Sequence, residues 1–250
     1  NAKTGKFVMW FHLELKGKGY AAARAGVAVS DTPAGPYRFI RSGRVNAGKL
    51  PVDMDGQAVA VLDTLNAKNY EKWWTPEWTD AVNKGLIVKR DLDGGQMSRD
   101  MTLYVDEDGK AYHIYSSEEN LTLQIAELSD DYLSHTGNYV RVAPAGHNEA
   151  PAIFKKDGTY WMITSGCTGW APNEARMFSS SSIFGPWSQH PNPCVEPKSE
   201  LTFGGQSTYI LKVEGKKDAF IFMADIWRPE HPSDARYIWL PVQFKEGIPY

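Results

Sequence analysis

Residues 149–166 read EAPAIFKKDGTYWMITSG. A polar residue leads a short apolar run, an Asp-Gly pair interrupts it, and an aromatic-rich run follows. Apolar or β-branched runs on either side of Asp-Gly predict two antiparallel strands joined by a tight turn. The spacing recurs. Glu149 lies nine positions before the turn residue Gly158, Asp100 nine before Gly109, and Gln206 nine before Gly215. Three hairpins thus open with Asp, Glu and Gln at one equivalent place. Arranged around an axis, they aim those three side chains at a shared cavity.

A further β-like run follows each hairpin, at 123–128, 175–181 and 235–244. A fourth copy stands near the N-terminus, TGKFVMWFHLE at 4–14 followed by ARAGVAVS at 23–30. SDTPAGPY at 30–37 and SSSIFGPW at 180–187 repeat a Gly-Pro-aromatic turn. The glycines at 158 and 215 follow the preceding hairpin glycines by 49 and 57 residues, whereas 104 separate Gly5 from Gly109. Repeats of about 40–50 residues with three or four strands each predict propeller blades. The long first interval predicts an insertion at about 50–90. Its segment YEKWWTPEWTDAVNKG has a helical, amphipathic pattern, and Trp73, Trp74 and Trp78 are expected to pack it onto the strands. The expected fold is an all-β, five-bladed propeller, with residues 1–250 as one catalytic domain. The position nine before Gly5 precedes Asn1, so the first blade's inner strand and its polar opener are expected outside this sequence. The closing C-terminal segment is expected outside it too, because a propeller protects its sheet edges by closing.

Composition narrows the function. The chain is 42% apolar and 12% aromatic, enough for a sizeable core, and its formal charge is −3. The 27 basic residues form no cluster, so no nucleic-acid footprint is expected. No apolar run reaches the ~18 residues of a membrane span. Two cysteines, Cys167 and Cys194, are compatible with one disulfide or with two buried thiols. Neither zinc-type spacing nor a phosphate-binding glycine loop is present. No cofactor or metal is therefore expected, a structural calcium being the one ion left open. Nine Trp and twelve Tyr alongside carboxylates suit a neutral, polyhydroxylated ligand. Sugar C–H faces lie on aromatic rings, and buried hydroxyls need directed partners.

Glycosidic cleavage needs a protonated carboxyl at the leaving oxygen and, with inversion, a base about 6.5–9.5 Å away across the ring. Glu149 is the expected acid: small and apolar residues follow it, and desolvation raises a carboxyl pKa. Asp100, beside Arg99, is expected to stay ionised and orient that acid. A lone carboxylate at a strand start is usually a structural cap. The shared repeat position is what favours the catalytic reading.

The segments SRDMTLYVDEDGKAYHIYSSEEN, NEAPAIFKKDGTYWMITSGCTGWAPN and GGQSTYIL together resemble glycoside hydrolase family 43, nearest its exo-β-1,3-galactanase and β-galactosidase-like branch. The likeness covers most of the chain outside 50–90. It implies an inverting glycosidase with Glu149 as general acid and Asp100 as the carboxylate that tunes it. The base of most members is an Asp on the first blade, which this sequence lacks. In the galactanase branch a glutamine replaces an expected carboxylate, and Gln206 matches it, as a residue that positions water or acts through its imidic tautomer. The resemblance also implies Asn120 as a contact to a sugar hydroxyl. Thr168, Trp170, Tyr20, Trp227, Arg228 and His147 are expected along the pocket rim, with Arg228 otherwise pairing with Glu230 or Asp225. The expected substrate is a galactose- or arabinose-containing plant polysaccharide, attacked from its end by a secreted or periplasmic enzyme. The alternatives are an α-L-arabinofuranosidase or β-xylosidase of the same fold and a carbohydrate-binding propeller without turnover.

Overall fold

Sixteen strands and several short helices occupy residues 1–66 and 68–250, the residues described by this computed structural model. The strands form five antiparallel sheets. The chain divides into two units, Asn1–His147 and Asn148–Tyr250.

In the first unit, β1 (Phe7–Leu13), β2 (Arg24–Ser30) and β3 (Arg38–Gly43) make a three-stranded sheet. A four-stranded sheet follows, with β4 (Met101–Val105), β5 (Ala111–Ser117), β6 (Thr122–Leu128) and β7 (His135–Val142) side by side in chain order. Gly109, with φ of +81°, lies in the β4–β5 turn, a conformation open to glycine at little cost. Every residue of β5 is buried. Alternation fails there because the strand is covered on both faces. In β1 the alternation holds over Phe7–Trp10. Phe7 and Met9 are exposed, as is Phe39 of β3, while Trp10 packs against the buried Tyr115 and Tyr139.

Residues 50–94 carry three helices, α1 (Gly56–Ala60), α2 (Pro76–Asn83) and α3 (Lys89–Gly94), with short 3₁₀ turns between the first two. Sequence chemistry explains the start of α2. Thr75 Oγ1 accepts from the Trp78 backbone N–H at 3.2 Å, and Pro76 sits in the first turn, where its missing N–H is harmless. Trp78, Ala81 and Val82 pack on Leu65, Val88 and Leu121. A buried polar chain links the helices to the sheet. Tyr115 Oη donates to Gln124 Oε1 at 2.9 Å, Gln124 Nε2 to Gln96 Oε1 at 2.8 Å, and Gln96 Nε2 to the Asp91 carbonyl at 2.9 Å. The Trp78 indole donates to the Asp91 carboxylate at 3.0 Å. Buried polar groups persist where each finds a partner.

In the second unit, β8 (Asn148–Lys156), β9 (Thr159–Gly166), β10 (Arg176–Ser180) and β11 (Ser188–His190) form one sheet in chain order. A second contains β12 (Gln206–Lys212), β13 (Phe220–Ile226) and β14 (Arg236–Pro241). β15 (Phe244–Lys245) and β16 (Ile248–Pro249) make a small ribbon. At the β8–β9 turn Asp157 and Gly158 both have positive φ, +49° and +79°, the geometry that suits a two-residue hairpin loop. The two larger sheets share one core, in which Phe154, Trp161 and Ile163 meet Ile210, Phe220 and Phe222. On β14 the alternate residues Tyr237 and Trp239 stay exposed, as do Tyr209 and Leu211 of β12. Cys167 and Cys194 are not joined by a disulfide, and burial pushes the Cys194 thiol up to about 11. Among the described residues, no three His, Cys, Asp or Glu side chains gather as a metal site. No helix among them is long and apolar enough to cross a membrane.

Candidate active site

Glu149 lies near the start of β8, opposite Ser165 of β9. Immediately after it the register shifts, and Ala150 takes a φ of +51°. A β-bulge turns the strand and re-aims the side chains beside it. An alanine in the left-handed region costs about 1–2 kcal/mol, so the surroundings must hold it. Ser207 does so in part, its hydroxyl donating to the Ala150 carbonyl at 2.5 Å. Ser207 follows Gln206, so the contact that pins the bulge also seats Gln206 beside Glu149.

The Gln206 amide joins the group together. Its Nε2 donates to Ser165 Oγ at 2.8 Å and reaches Glu149 Oε2 at 3.5 Å. Its Oε1 accepts from the Trp227 indole at 2.7 Å. Trp227 meets Trp170 edge to face, with ring centroids 5.2 Å apart. Ser165, Trp170, Gln206 and Trp227 line a cavity of about 200 Å³ together with Asn173 and the glycines at 169, 204 and 205. Asp225 faces Gln206 across β12 and β13, and burial raises its carboxyl pKa from the ordinary value. A larger cavity of about 460 Å³ in the same unit is lined chiefly by apolar residues such as Ile238, Leu240 and Val242. It offers no pair of groups suited to glycosyl transfer.

The loop carrying Thr168 and Trp170 is stapled by Asn173. Its side chain accepts from the Gly166 N–H at 2.7 Å and donates to the Gly166 carbonyl at 2.9 Å and to Thr168 Oγ1 at 2.7 Å. The Thr168 hydroxyl in turn donates to the Ala171 carbonyl at 2.6 Å, a loop-closing bond. Arg228 pairs with Asp234 at 2.6 Å rather than with Glu230 or Asp225. The 3₁₀ turn at Pro232–Asp234 brings that carboxylate back to it.

Asp100, Tyr20, Asn120 and His147 belong to the first unit. Asp100 is exposed just ahead of β4, and its carbonyl accepts from the Ser116 N–H at 2.9 Å. Its neighbour Arg99 binds Glu119 at 2.8 Å and the Tyr20 carbonyl at 3.0 Å. Beyond β5, Glu118, Glu119 and Asn120 all have left-handed φ angles, +49°, +55° and +64°. Such a run is costly and needs external restraint. Arg141 and Arg99 hold its first two residues. His147 is exposed and stacks on Trp74 at 6.2 Å. Glu14 accepts from His12 at 2.8 Å and from the Ala22 and Ala23 N–H groups at 2.9 Å. Burial works to raise its pKa, but these hydrogen bonds outweigh it and hold the carboxyl below its usual value.

Ser165, Asn173 and Asp225 are the site residues that the sequence pattern does not disclose. Their signal is pairing with residues the pattern does mark, and it becomes readable only once the register is known.

A family model described as glycosyl hydrolases family 43 matches residues 64–246. The chain belongs to that family. One similar solved structure is a family 43 β-1,3-galactosidase with galactodeoxynojirimycin, 67% identical, with a TM-score of 0.93 over 100% of this chain and 72% of the other. An exo-β-1,3-galactanase from Clostridium thermocellum is 34% identical, with a TM-score of 0.74 over 99% of this chain and 45% of its own. The Phanerochaete chrysosporium exo-β-1,3-galactanase with β-1,3-galactotriose is 29% identical, with a TM-score of 0.70 over 100% and 46%. A curated relative, a β-D-galactofuranosidase from Aspergillus niger, is 26% identical over 129 residues, 47% of this chain and 37% of its own length. This family 43 chain thus spans less than half the length of that curated relative and of both galactanases.

Proposed function

We propose that this chain supplies the acid side of an inverting glycoside hydrolase that removes galactose from the ends of β-1,3-linked galactan. The supporting observation is that Gln206, which lines a small cavity with Trp170 and Trp227, joins the Trp227 indole at its oxygen end and reaches the Glu149 carboxyl with its nitrogen end. An amide and exposed indoles in one pocket, with a carboxyl next to the amide, match what a sugar demands: a directed polar partner, flat apolar faces and a proton donor. Relatives of this chain include structures holding a galactose-configured iminosugar and a galactotriose, and both suit that pocket chemistry.

In this reading Glu149 protonates the leaving oxygen as the glycosidic bond breaks, and the family likeness supports Asp100 as the carboxylate that tunes such an acid. An amide has no titratable lone pair at neutral pH. The 3.5 Å between Gln206 and Glu149 is also shorter than the roughly 6.5–9.5 Å that an inverting acid and base need for sugar and water. Gln206, as arranged here, therefore holds the acid and directs a water molecule. Thr168 and Arg228 shape the rim. The sheets act as blades of a five-bladed propeller, and the enzyme works outside the cytoplasm, where polysaccharide is met.

Release of galactose from β-1,3-galactan by the full-length polypeptide tests the reading. Glu149→Gln is expected to lower the rate by roughly 10²–10⁴. Binding of galactan without any turnover by the unaltered protein would instead make it a carbohydrate-binding module.

A further inference from the structure

We infer that Trp227 is a positioning residue: its indole N–H decides which way round the Gln206 amide stands, and thereby what Glu149 faces. The inference rests on the reading of Glu149 as the acid and adds to it a residue that acts without touching the reacting bond.

A glutamine amide is nearly symmetric in shape but opposite in chemistry at its two ends. One end donates, the other accepts. Three groups meet the Gln206 amide, and they do not constrain it equally. The Ser165 hydroxyl, 2.8 Å from Nε2, is indifferent, because it donates or accepts by rotating. The Glu149 carboxyl lies at 3.5 Å, too far to fix the choice by itself. The Trp227 indole is a donor only, and at 2.7 Å it can be satisfied by the amide oxygen alone. With Oε1 held there, Nε2 is forced toward Ser165 and Glu149. The opposite orientation would set two N–H donors against each other at Trp227 and turn the amide oxygen toward Glu149.

Trp227 does this with its edge. Trp227 is 46% exposed and meets Trp170 edge to face, so part of the indole stays open to a ligand. The two jobs are separable. Phenylalanine keeps a flat apolar ring and removes only the N–H. Because the position is half-exposed, Trp227→Phe is compatible with the fold.

The experiment uses the full-length polypeptide and β-1,3-galactobiose, with kcat and KM measured for Trp227→Phe, Gln206→Ala, the double variant and Glu149→Gln. Trp227→Phe is expected to lower kcat about tenfold, the worth of one well-formed hydrogen bond, while KM stays within about twofold. If Trp227 acts through the Gln206 amide, adding Trp227→Phe to Gln206→Ala changes kcat by less than about twofold, since interacting residues are not additive. A rise in KM with kcat unchanged would make Trp227 a stacking platform and overturn the inference. So would an undiminished loss in the Gln206→Ala background, or no loss at all. Glu149→Gln separates the two levels of the argument. If it is inactive while Trp227→Phe behaves as wild type, the acid assignment stands and only the inference falls. If Glu149→Gln retains the wild-type rate, the reading of the site falls with it.

Discussion

Arg141 grips both carboxylate oxygens of Glu118, each at 2.8 Å, with the two side chains only 6% and 2% exposed. Glu118 opens the left-handed run Glu118–Asn120, so the ion pair clamps a strained turn. Removing one partner strands a buried charge, which typically costs about 3–5 kcal/mol. Arg141→Leu should lower the unfolding free energy by that amount, read from urea denaturation midpoints. A loss below about 1 kcal/mol, the level of a surface pair, would mean the turn does not depend on the clamp.

The paired histidines predict acid sensitivity. His113 Nδ1 lies 3.0 Å from His135 Nε2, and His113 Nε2 lies 3.3 Å from Met101 Sδ. The Trp10 and Tyr115 rings pack against the imidazoles, and Arg41 is the nearby cation. Burial lowers both pKa values, that of His135 to about 4 and that of His113 well below the usual value. The unfolded chain takes up these protons near pH 6.5, and the folded chain takes up that of His135 only near pH 4. Stability is therefore complete above about pH 6.5 and falls as pH drops toward 4. His135→Phe should flatten that fall in a series of denaturation curves between pH 7 and 4. An unchanged slope would assign the sensitivity to other groups.

Leaving-group chemistry discriminates the role of Glu149. An activated aryl β-galactoside departs with little protonation, so Glu149→Gln should depress its hydrolysis far less than that of galactan. Equal losses on the two substrates would remove Glu149 from the acid role.

Gly205, next to Gln206, accommodates a methyl group only if its neighbours shift. A Cβ there would come within 2.8 Å of Ile238 Cδ1 and 3.2 Å of Ala224 Cβ. Overpacking of this kind costs about 1–3 kcal/mol and shifts backbone. Gly205→Ala should therefore lower the melting temperature and, by displacing the Gln206 amide, reduce kcat as well. Full activity alongside a normal melt would show that the β12 start has more slack than its packing suggests.

Most strands were legible in the chain because turn glycines and alternating runs are local signals. Runs expected at 123–128 and 175–181 are β6 and β10, and the helical pattern in the segment around Trp78 is α2. Sheets of four were harder to see. β7 and β11 are short or polar, and nothing local distinguishes them from loop. The polar position before each hairpin pointed to Glu149 and Gln206, yet Ser165 stayed hidden. Counting back from the Asp157–Gly158 turn pairs Glu149 with Gly166, and only the bulge at Ala150 moves it to Ser165. The Trp227 contact is equally invisible in sequence, because it depends on how β13 ends. Arg228 found Asp234 through a 3₁₀ turn that the run of prolines and charges did not foretell.

The bare aromatic rows on two sheets also govern how this polypeptide behaves in the tube. Tyr237 and Trp239 on β14 are 71% and 61% exposed, and Phe7, Met9 and Phe39 on the first sheet are exposed to a lesser degree. Exposed apolar side chains of this sort, where they adjoin, are where proteins adhere to one another. Handled as these 250 residues at high concentration, the chain should cluster, bind fluorescent hydrophobic dyes and gain clarity from mild detergent. Sedimentation and dye titration would register this before any sugar is added.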